Sequence, residues 1–415
     1  MSKVIVIGGG AAGMAAAIAA SGHGDQVIVL ERMDRVGKKL LATGNGRCNL
    51  MNIGALRYPG GASLAREVLH RCGARQQAAF WHFIGLRLRQ EEGGRVYPVS
   101  GQASSVLDAL RLAMDNRHVR VETGQTAQQI VRHSDGFEVV TQSGVYRGSR
   151  VIIAGGGMAQ PKLGSDGSCY ALLSAMKHPI VSPSPCLTQI LTDTALIRGL
   201  SGIRARCEIS VWHGEQMLHQ ETGEALFADY GISGVCAMQC ARYAAEGTSL
   251  HLNLAYGMGL TDARGALTEL TERRRRWPDA PAEALLTGLC VPRLAQALMN
   301  ASGVSFRGQK TGQLSDRTLH ALSAVMAALP LTVRGVKGFE TAQVTRGGAA
   351  VGGFNPATME SRLCPGLHAA GEVLDVDGDC GGFNLMFAFG SGLLAGLNGR
   401  RAPWADLEEE RYVDC

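Results

Sequence analysis

"SKVIVIGGGAAGMAAAIAASGHGDQVIVLER", residues 2–32, decides the fold. Val4 to Ile7 is a short β-branched run, glycines follow it, an alanine-rich stretch comes next, and Gln26 to Leu30 returns to β-branched residues. The stretch therefore reads strand, turn, helix, strand, which is a βαβ unit. Gly8, Gly10 and Gly13 hold the G-x-G-x-x-G spacing. The first glycine permits the tight turn, the second lets a pyrophosphate approach the backbone, and the third lets the helix pack close to the strand. Glu31 ends the second strand, at the distance expected of the acid that accepts hydrogen bonds from the adenosine ribose. Glycines alone are weak evidence, but here both strands, the helix and the terminal acid stand in register. The reading is a dinucleotide site.

The rest of the chain sets limits on that site. At 415 residues it exceeds one simple core and has room for a large cofactor. Hydrophobic residues make up 46% and charged residues 19%, an ordinary globular balance with little room for extended disorder. The net charge of +5 is mild and spread out, so no nucleic-acid footprint is expected. The run Arg273 to Arg276 follows a helical pattern and reads as a solvated helix face. Eleven cysteines occur without a CxxC pair, which excludes a zinc knuckle or a vicinal redox disulfide, and no metal site is expected. Cys236 and Cys240 lie at helical spacing and read as core. With no secretory leader pattern and no apolar run of about 18 residues, a cytoplasmic chain without a membrane span is expected.

Texture divides the chain. Residues 1–187 read as the first part of the nucleotide-binding domain, with short strands around turns at Ser134 to Gly136 and Ser143-Gly144 that close in the buried strand "RVIIAGGG". Residues 188–257 read as β-rich, since Cys207, Ile209 and Val211, and then Leu250, Leu252 and Leu254, alternate with polar neighbours. Residues 258–330 read as helical. There Ser315 serves as an N-cap, Leu319, Leu322, Val325 and Met326 share one face, and Pro330 is the stop. Residues 331–342 return to the β-rich part and 343–415 complete the nucleotide-binding domain. In that last segment a strand runs into Gly371-Glu372, and "GGFN", Gly381 to Asn384, opens a helix. A glycine-opened helix after a strand offers free N–H groups and a positive dipole end to an anion. A flavin supplies one, because its reduced form carries negative charge near N1 and the C2 carbonyl.

The blocks "VIVIGGGAAGMAAAIAA", "VGKKLLATGNGRCNLMN", "PKLGSDGSCYALL", "TGEALFADYGISG" and "NPATMESRLCPGLHAAGEVLDVDGDCGGFNLMFAFGSGLLAG" together resemble, in order and spacing, one prokaryotic family. It is the three-domain NAD(P)/FAD-dependent flavoprotein family that includes aminoacetone oxidase and the BaiN flavoprotein. The resemblance implies an α/β fold: a Rossmann-like FAD domain of the glutathione-reductase type built from both chain ends, an inserted β-barrel-like domain and a helical subdomain. It implies FAD as the cofactor. It also implies cofactor contacts at Gly8, Gly10, Ala12, Gly13, Glu31 and Arg32, and along Lys39, Thr43, Gly44, Asn45, Gly46, Arg47, Cys48 and Asn49. Further contacts fall at Ala127, Ala154, Gly155 and Gly156, and at Gly371, Glu372, Asp377, Gly382, Phe383 and Asn384. The "TGNGRCN" loop would run along the pyrophosphate and ribityl chain, Arg47 would offset phosphate or reduced-flavin charge, and Cys48 reads as a packed thiol rather than a redox one. Asp379, Cys380 and Met386 stand where the family has tyrosine, threonine and glutamine, at positions expected on the substrate side of the flavin. Gly353 stands near the place of a common acidic residue.

The expected function is an FAD-dependent oxidoreductase acting on a small organic substrate. No second G-x-G-x-x-G with its own strand and helix occurs, so NAD(P)H is expected at most as a transient visitor over the flavin. The rival reading is a flavin-dependent RNA-modifying protein, with Arg273 to Arg276 on phosphates. Substrate, electron donor, catalytic acid or base and oligomeric state are left open by the residues.

Overall fold

The computed structural model describes residues 2–407 and the strand Val413–Asp414; the remainder of segment 343–415 lies outside the described residues. The chain forms two compact units, one from Met1–Pro185 with Gln343–Cys415 and one from Cys186–Ala342.

The first unit is built on a five-stranded parallel sheet. Its order is Leu367–Ala369, Arg150–Ile153, β1 (Lys3–Ile7), β2 (Gln26–Glu31) and Arg120–Thr123. Val4, Ile5 and Val6 have no exposed surface, as expected of a parallel strand covered on both faces. Helix α1 (Ala11–Ser21) joins β1 to β2 and is buried from Ala12 to Ala20. Small side chains on every face let the helix sit deep in the unit. The last long helix, Phe383–Leu397, lies directly on it. A Cβ on Gly392 would stand 2.3 Å from the Ala12 carbonyl oxygen, and one on Gly396 would stand 2.3 Å from the Ala16 carbonyl oxygen. Four residues on one helix therefore match four on the other, so the two helices run parallel with their N-termini toward the same side. Edge-to-face contacts among Phe80, Trp81, Phe389 and Trp404 pack the helix Ala74–Phe83 onto this pair.

A buried histidine gives this unit a pH dependence. His368 has no exposed surface, and its Nδ1 lies 3.0 Å from the Thr358 carbonyl oxygen, to which it donates. Burial pushes its pKa down to about 4 from 6.5. The folded chain therefore holds His368 neutral, while the unfolded chain takes up a proton below pH 6.5. The stabilisation is fully present above the unfolded value and is lost as pH falls toward the folded one, amounting to about 2 kcal/mol by pH 5. Urea unfolding at pH 7.5 and pH 5 should show this loss in the parent and a smaller one in His368→Asn. Equal losses in both would place the pH dependence elsewhere.

The second unit contains a closed six-stranded barrel, ordered Ile190–Thr192, Gly231–Ser233, Gln216–Ala228, Arg204–His213, Ser249–Asn253 and Leu329–Val336. Cys207, Ile209, Val211, Leu250 and Leu252 all point into its core with no exposure. Leu329–Val336 pairs with both Ser249–Asn253 and Ile190–Thr192 and so closes the ring. Between those strands run the helices Ala263–Arg276, Pro292–Ala301 and Asp316–Ala327. Ser315 caps the last of these by accepting from Thr318 N at 3.2 Å, and Leu319, Leu322 and Met326 are wholly buried beneath it. Cys236 and Cys240 lie buried on the short helix Val235–Cys240.

Candidate functional site

The three fingerprint glycines have different surroundings. A Cβ on Gly8 would stand 2.5 Å from the Ala154 carbonyl oxygen, and one on Gly13 would stand 1.8 Å from the Gly8 carbonyl oxygen. Both are required by backbone packing. Around Gly10 nothing lies within 4 Å. Gly10 is the N-cap of α1, no side chain caps that end, and no acid lies in the first turn. The positive end of a buried helix thus opens on free space beside a glycine, which fits a pyrophosphate.

Glu31 lies at the edge of this opening and is 8% exposed. Its carboxylate accepts from Gly9 N at 2.7 Å and from Met33 N at 2.8 Å. Each oxygen keeps a lone pair for a ribose hydroxyl. The same residue therefore stitches the glycine turn and offers the ribose contact. Glu31→Ala should weaken FAD binding by about 1–3 kcal/mol and also lower the melting temperature, because Gly9 N–H loses its acceptor. Equilibrium titration of the deflavinated protein checks the first effect; unchanged affinity would remove the ribose assignment. Gln125 N donates to the Glu31 carbonyl at 2.9 Å, which brings the segment leading to Ala127, first residue of the strand Ala127–His133, to the same end.

Past the pyrophosphate end, the helix Phe383–Leu397 supplies a second positive terminus, again with no capping side chain and no acid in the first turn. Its match with α1 places Phe383 two turns beyond the start of α1, roughly 12 Å at 1.5 Å per residue. A dinucleotide extended along these parallel helices would meet one helix end at its pyrophosphate and the other at its far ring. Next to this second end, Asn49 is 9% exposed and its Oδ1 has no hydrogen-bond partner among the described residues. A buried, unsatisfied amide invites a ligand with complementary hydrogen-bonding groups, and the edge of an isoalloxazine carries both donors and acceptors.

The loop Thr43 to Asn49 connects these ends. Gly44, Asn45 and Gly46 have φ of 56°, 54° and 80°, and Cys48 has φ of 57°. Glycine and asparagine tolerate this left-handed backbone best, which accounts for the loop's composition. Gly46 faces open space, and the Thr43 hydroxyl donates to the Leu40 carbonyl at 2.7 Å. Lys39, just before the loop, pairs with Glu372 at 2.7 Å, and Glu372 also accepts from Thr345 N at 2.8 Å. The Thr345 hydroxyl accepts from Met158 N at 2.7 Å and Ala159 N at 2.9 Å. One node thus ties together the loops after β2, after Arg150–Ile153 and after Leu367–Ala369. Gly371 sits in it with φ 75°, and a Cβ there would lie 2.8 Å from Ala12 Cβ. Gly155 and Gly156 are likewise packed, against Cys169 Sγ at 2.2 Å and Ser165 Oγ at 2.7 Å from their would-be Cβ atoms.

Several expected roles change. Arg47 is held by Glu91 through two nitrogens and stacks 4.1 Å from the Tyr97 ring centroid. Its charge is already matched within the protein by Glu91. Arg32 is likewise paired, with Asp166. Cys48 is buried, and burial pushes its thiol up to about 12 despite the neighbouring Thr43 side chain, which acts in the opposite direction. It remains a protonated, packed thiol at neutral pH. A Cβ on Gly382 would stand 2.5 Å from the Met51 carbonyl oxygen and 2.7 Å from Asn49 Oδ1. Gly382 is therefore demanded by the protein's own packing, and only its backbone faces the cofactor end. The Phe383 ring is buried against Tyr58, whose hydroxyl donates to the Phe383 carbonyl at 2.7 Å.

The Asn384 side chain closes the preceding loop, accepting from Gly378 N and donating to the Gly378 carbonyl, both at 2.8 Å. Asp377 is 1% exposed and pairs by backbone with Gly60. Met386 is 3% exposed and belongs to the core rather than to a substrate face. Asp379 pairs with Arg57 at 2.8 Å, and Cys380 is half-buried. Sequence reading missed Thr345, Asn52 and Asp166. Asn52 Nδ2 donates to the Gly381 carbonyl at 2.9 Å and to the Gly93 carbonyl at 3.1 Å. Asn52 and Asp166 fall inside the family blocks quoted above at positions given no role there, and Thr345 lies outside them.

The chain matches, over residues 2–398, the family described as HI0933-like protein Rossmann domain. It belongs to the HI0933-like family. Among relatives, a 3-dehydro-bile acid delta(4,6)-reductase of Clostridium scindens is 35% identical, covering 97% of this chain and 100% of its own length. A ribosomal RNA dihydrouridine synthase of Escherichia coli is 26% identical, covering 93% and 95%. Among solved structures, the open form of a flavocytochrome c3 fumarate reductase matches at 16% identity and a TM-score of 0.48, over 99% of this chain and 79% of that one. Within this HI0933-like chain, the parallel helix ends, the open Gly10 and the Asn49 amide form a cradle that FAD fits.

Proposed function

We propose that this chain reduces a carbon–carbon double bond conjugated to a carbonyl on a small organic substrate. It is an FAD-dependent oxidoreductase. The observation that carries the cofactor is the pair of parallel helices whose open N-termini are offset by about 12 Å. The reaction class draws on the relatives. A delta(4,6)-reductase saturates carbon–carbon double bonds, and a dihydrouridine is a uridine whose conjugated ring double bond has been saturated. One chemistry accommodates both names.

When bound, FAD supplies hydride transfer at its central ring. The protein's part is to hold and polarise. The α1 terminus with Gly10 would hold the pyrophosphate and Glu31 the ribose. The Phe383 terminus would favour negative charge accumulating at N1 and the C2 carbonyl, and the Lys39–Glu372–Thr345 node would keep the surrounding loops in place.

The RNA reading draws on the name of the Escherichia coli relative, but the arginine run lends it little support. Arg273 is bound to Glu269 and to the Leu285 and Thr287 carbonyls, and Arg274 to Asp316 and the Leu314 carbonyl. Two of the four arginines thus staple the helix to its own unit. A reducing compartment suits the ten described cysteines, all free thiols.

The test is anaerobic reduction of the bound flavin by NADH or NADPH, followed by a panel of reoxidants. A cyclic enone and a 3-oxo-4-ene steroid should restore the oxidised spectrum and gain two hydrogens. No reoxidation by any enone would overturn the substrate class. Retention of ribosomal RNA at about 50 mM salt that collapses as salt rises, together with dihydrouridine in the product, would move the substrate to RNA.

A further inference from the structure

Residues 160–168, QPKLGSDGS, which include the Arg32 partner Asp166, bridge two sides of the cradle. Left-handed backbone shapes the loop, with φ of 58° at Gln160, 110° at Gly164 and 80° at Gly167. On one side it rests on the glycine turn after Arg150–Ile153. Gly167 N donates to the Gly157 carbonyl at 3.0 Å, and buried Ser165 places its hydroxyl 2.7 Å from where a Cβ on Gly156 would be. On the other side it reaches the end of β2. A Cβ on Gly164 would stand 3.0 Å from Met33 Cγ and 3.9 Å from Glu31 Oε1. There the Asp166 carboxylate pairs with Arg32, while Asp166 Oδ1 accepts from Ser168 N at 3.1 Å, which fixes its direction. The loop therefore spans from Gly156 to Glu31, across the end where the adenosine half of a dinucleotide would lie.

From this span we infer that residues 160–168 form a strap over the adenosine half of FAD, latched by Arg32 and Asp166, and that the latch governs how fast FAD leaves. The inference rests on the FAD assignment. It gives Arg32 a positioning role in place of a direct cofactor contact. It also separates FAD from FMN, since FMN has no adenosine for the strap to hold. The side chains of Arg32 and Asp166 are 33% and 35% exposed, so the pair is open to solvent exchange and can release without unfolding the sheet beneath.

The experiment compares the parent holoenzyme with Asp166→Asn, Arg32→Gln and the charge-swapped double variant Arg32→Asp/Asp166→Arg. FAD release after dilution is followed by the rise in flavin fluorescence, and FMN affinity is measured on the deflavinated full-length chain. Each single variant should release FAD at least five times faster while FMN affinity stays within twofold, and the swap should restore slow release. Release rates unchanged in both single variants would overturn the strap. So would a parallel loss of FMN affinity, which would mark a general folding defect. Faster release in Arg32→Gln that the swap fails to rescue would return Arg32 to direct cofactor contact and also overturn the latch. A parent protein that binds FMN as tightly as FAD would overturn the FAD assignment itself, independently of the variants.

Discussion

Gly10→Asp is expected to give a folded, colourless protein whose apo form melts slightly higher than the parent apoprotein. The two effects have opposite signs because Gly10 has two separate roles. As the N-cap of α1 it has φ −83° and ψ −169°, an extended conformation open to any residue, and nothing lies within 4 Å of its missing Cβ. Aspartate there can accept from first-turn N–H groups and place negative charge at the positive helix end, a gain of about 0.5–1 kcal/mol over glycine. The same carboxylate fills the space required by the pyrophosphate and repels it. FAD affinity should fall at least about a hundredfold, or roughly 2.8 kcal/mol. Gly13→Asp is the contrasting control, since its Cβ would stand 1.8 Å from the Gly8 carbonyl oxygen; that variant should fail to fold. Calorimetry and flavin absorbance read both outcomes. A Gly10→Asp protein that purifies yellow with full FAD would show that the α1 terminus does not hold the phosphates.

That contrast marks what one sequence can and cannot convey. The glycine spacing predicted the βαβ unit because strand, turn and helix are local, and local pattern is what backbone propensity writes into sequence. Spacing marked Gly10 as the glycine facing ligand, but it could not say what Gly8 packs against. That is Ala154, which packs on Gly8 from the loop just after the strand Arg150–Ile153, more than a hundred positions away. The barrel strands were visible for the same local reason, through the alternation at Cys207, Ile209 and Val211. The roles of charged residues were harder to read. Arg47 meets Glu91 across 44 positions and Lys39 meets Glu372 across 333. A guanidinium beside two glycines reads equally well as a phosphate ligand or as half of an ion pair, and only the fold chooses. Met386 was misplaced for a related reason. One position on a helix of small and apolar residues gives no hint of which face meets Gln77, whose Nε2 donates to the Met386 carbonyl at 2.9 Å.

Asp25 shows how a residue outside every motif can hold the cofactor unit together, and its loss should have the largest effect on stability. Its side chain is 5% exposed and accepts from Arg150 at 2.9 Å, from Arg400 at 2.6 Å and from the Ser2 hydroxyl at 2.8 Å. Arg150 begins the strand beside the central strand β1, and Arg400 follows the helix Phe383–Leu397. One carboxylate therefore binds the start of the sheet to the end of the helix Phe383–Leu397, whose other terminus is the one proposed to face the flavin. Burial opposes ionisation of Asp25, but the hydrogen bonds from Arg400 and Ser2 and the two guanidinium charges outweigh it and hold its carboxyl below the ordinary value. The stabilisation is therefore present above pH 3.8 and lost as pH falls below it. Asp25→Ala leaves Arg150, with 10% side-chain exposure, as a buried charge lacking its partner, a change that costs about 3–5 kcal/mol. Arg400→Met should cost much less, since Arg400 is 33% exposed and solvent can replace its contact. Thermal unfolding of the two variants decides the matter. A drop in Asp25→Ala no larger than in Arg400→Met would mean that Arg150 finds another partner and that the helix and sheet are joined by apolar packing alone.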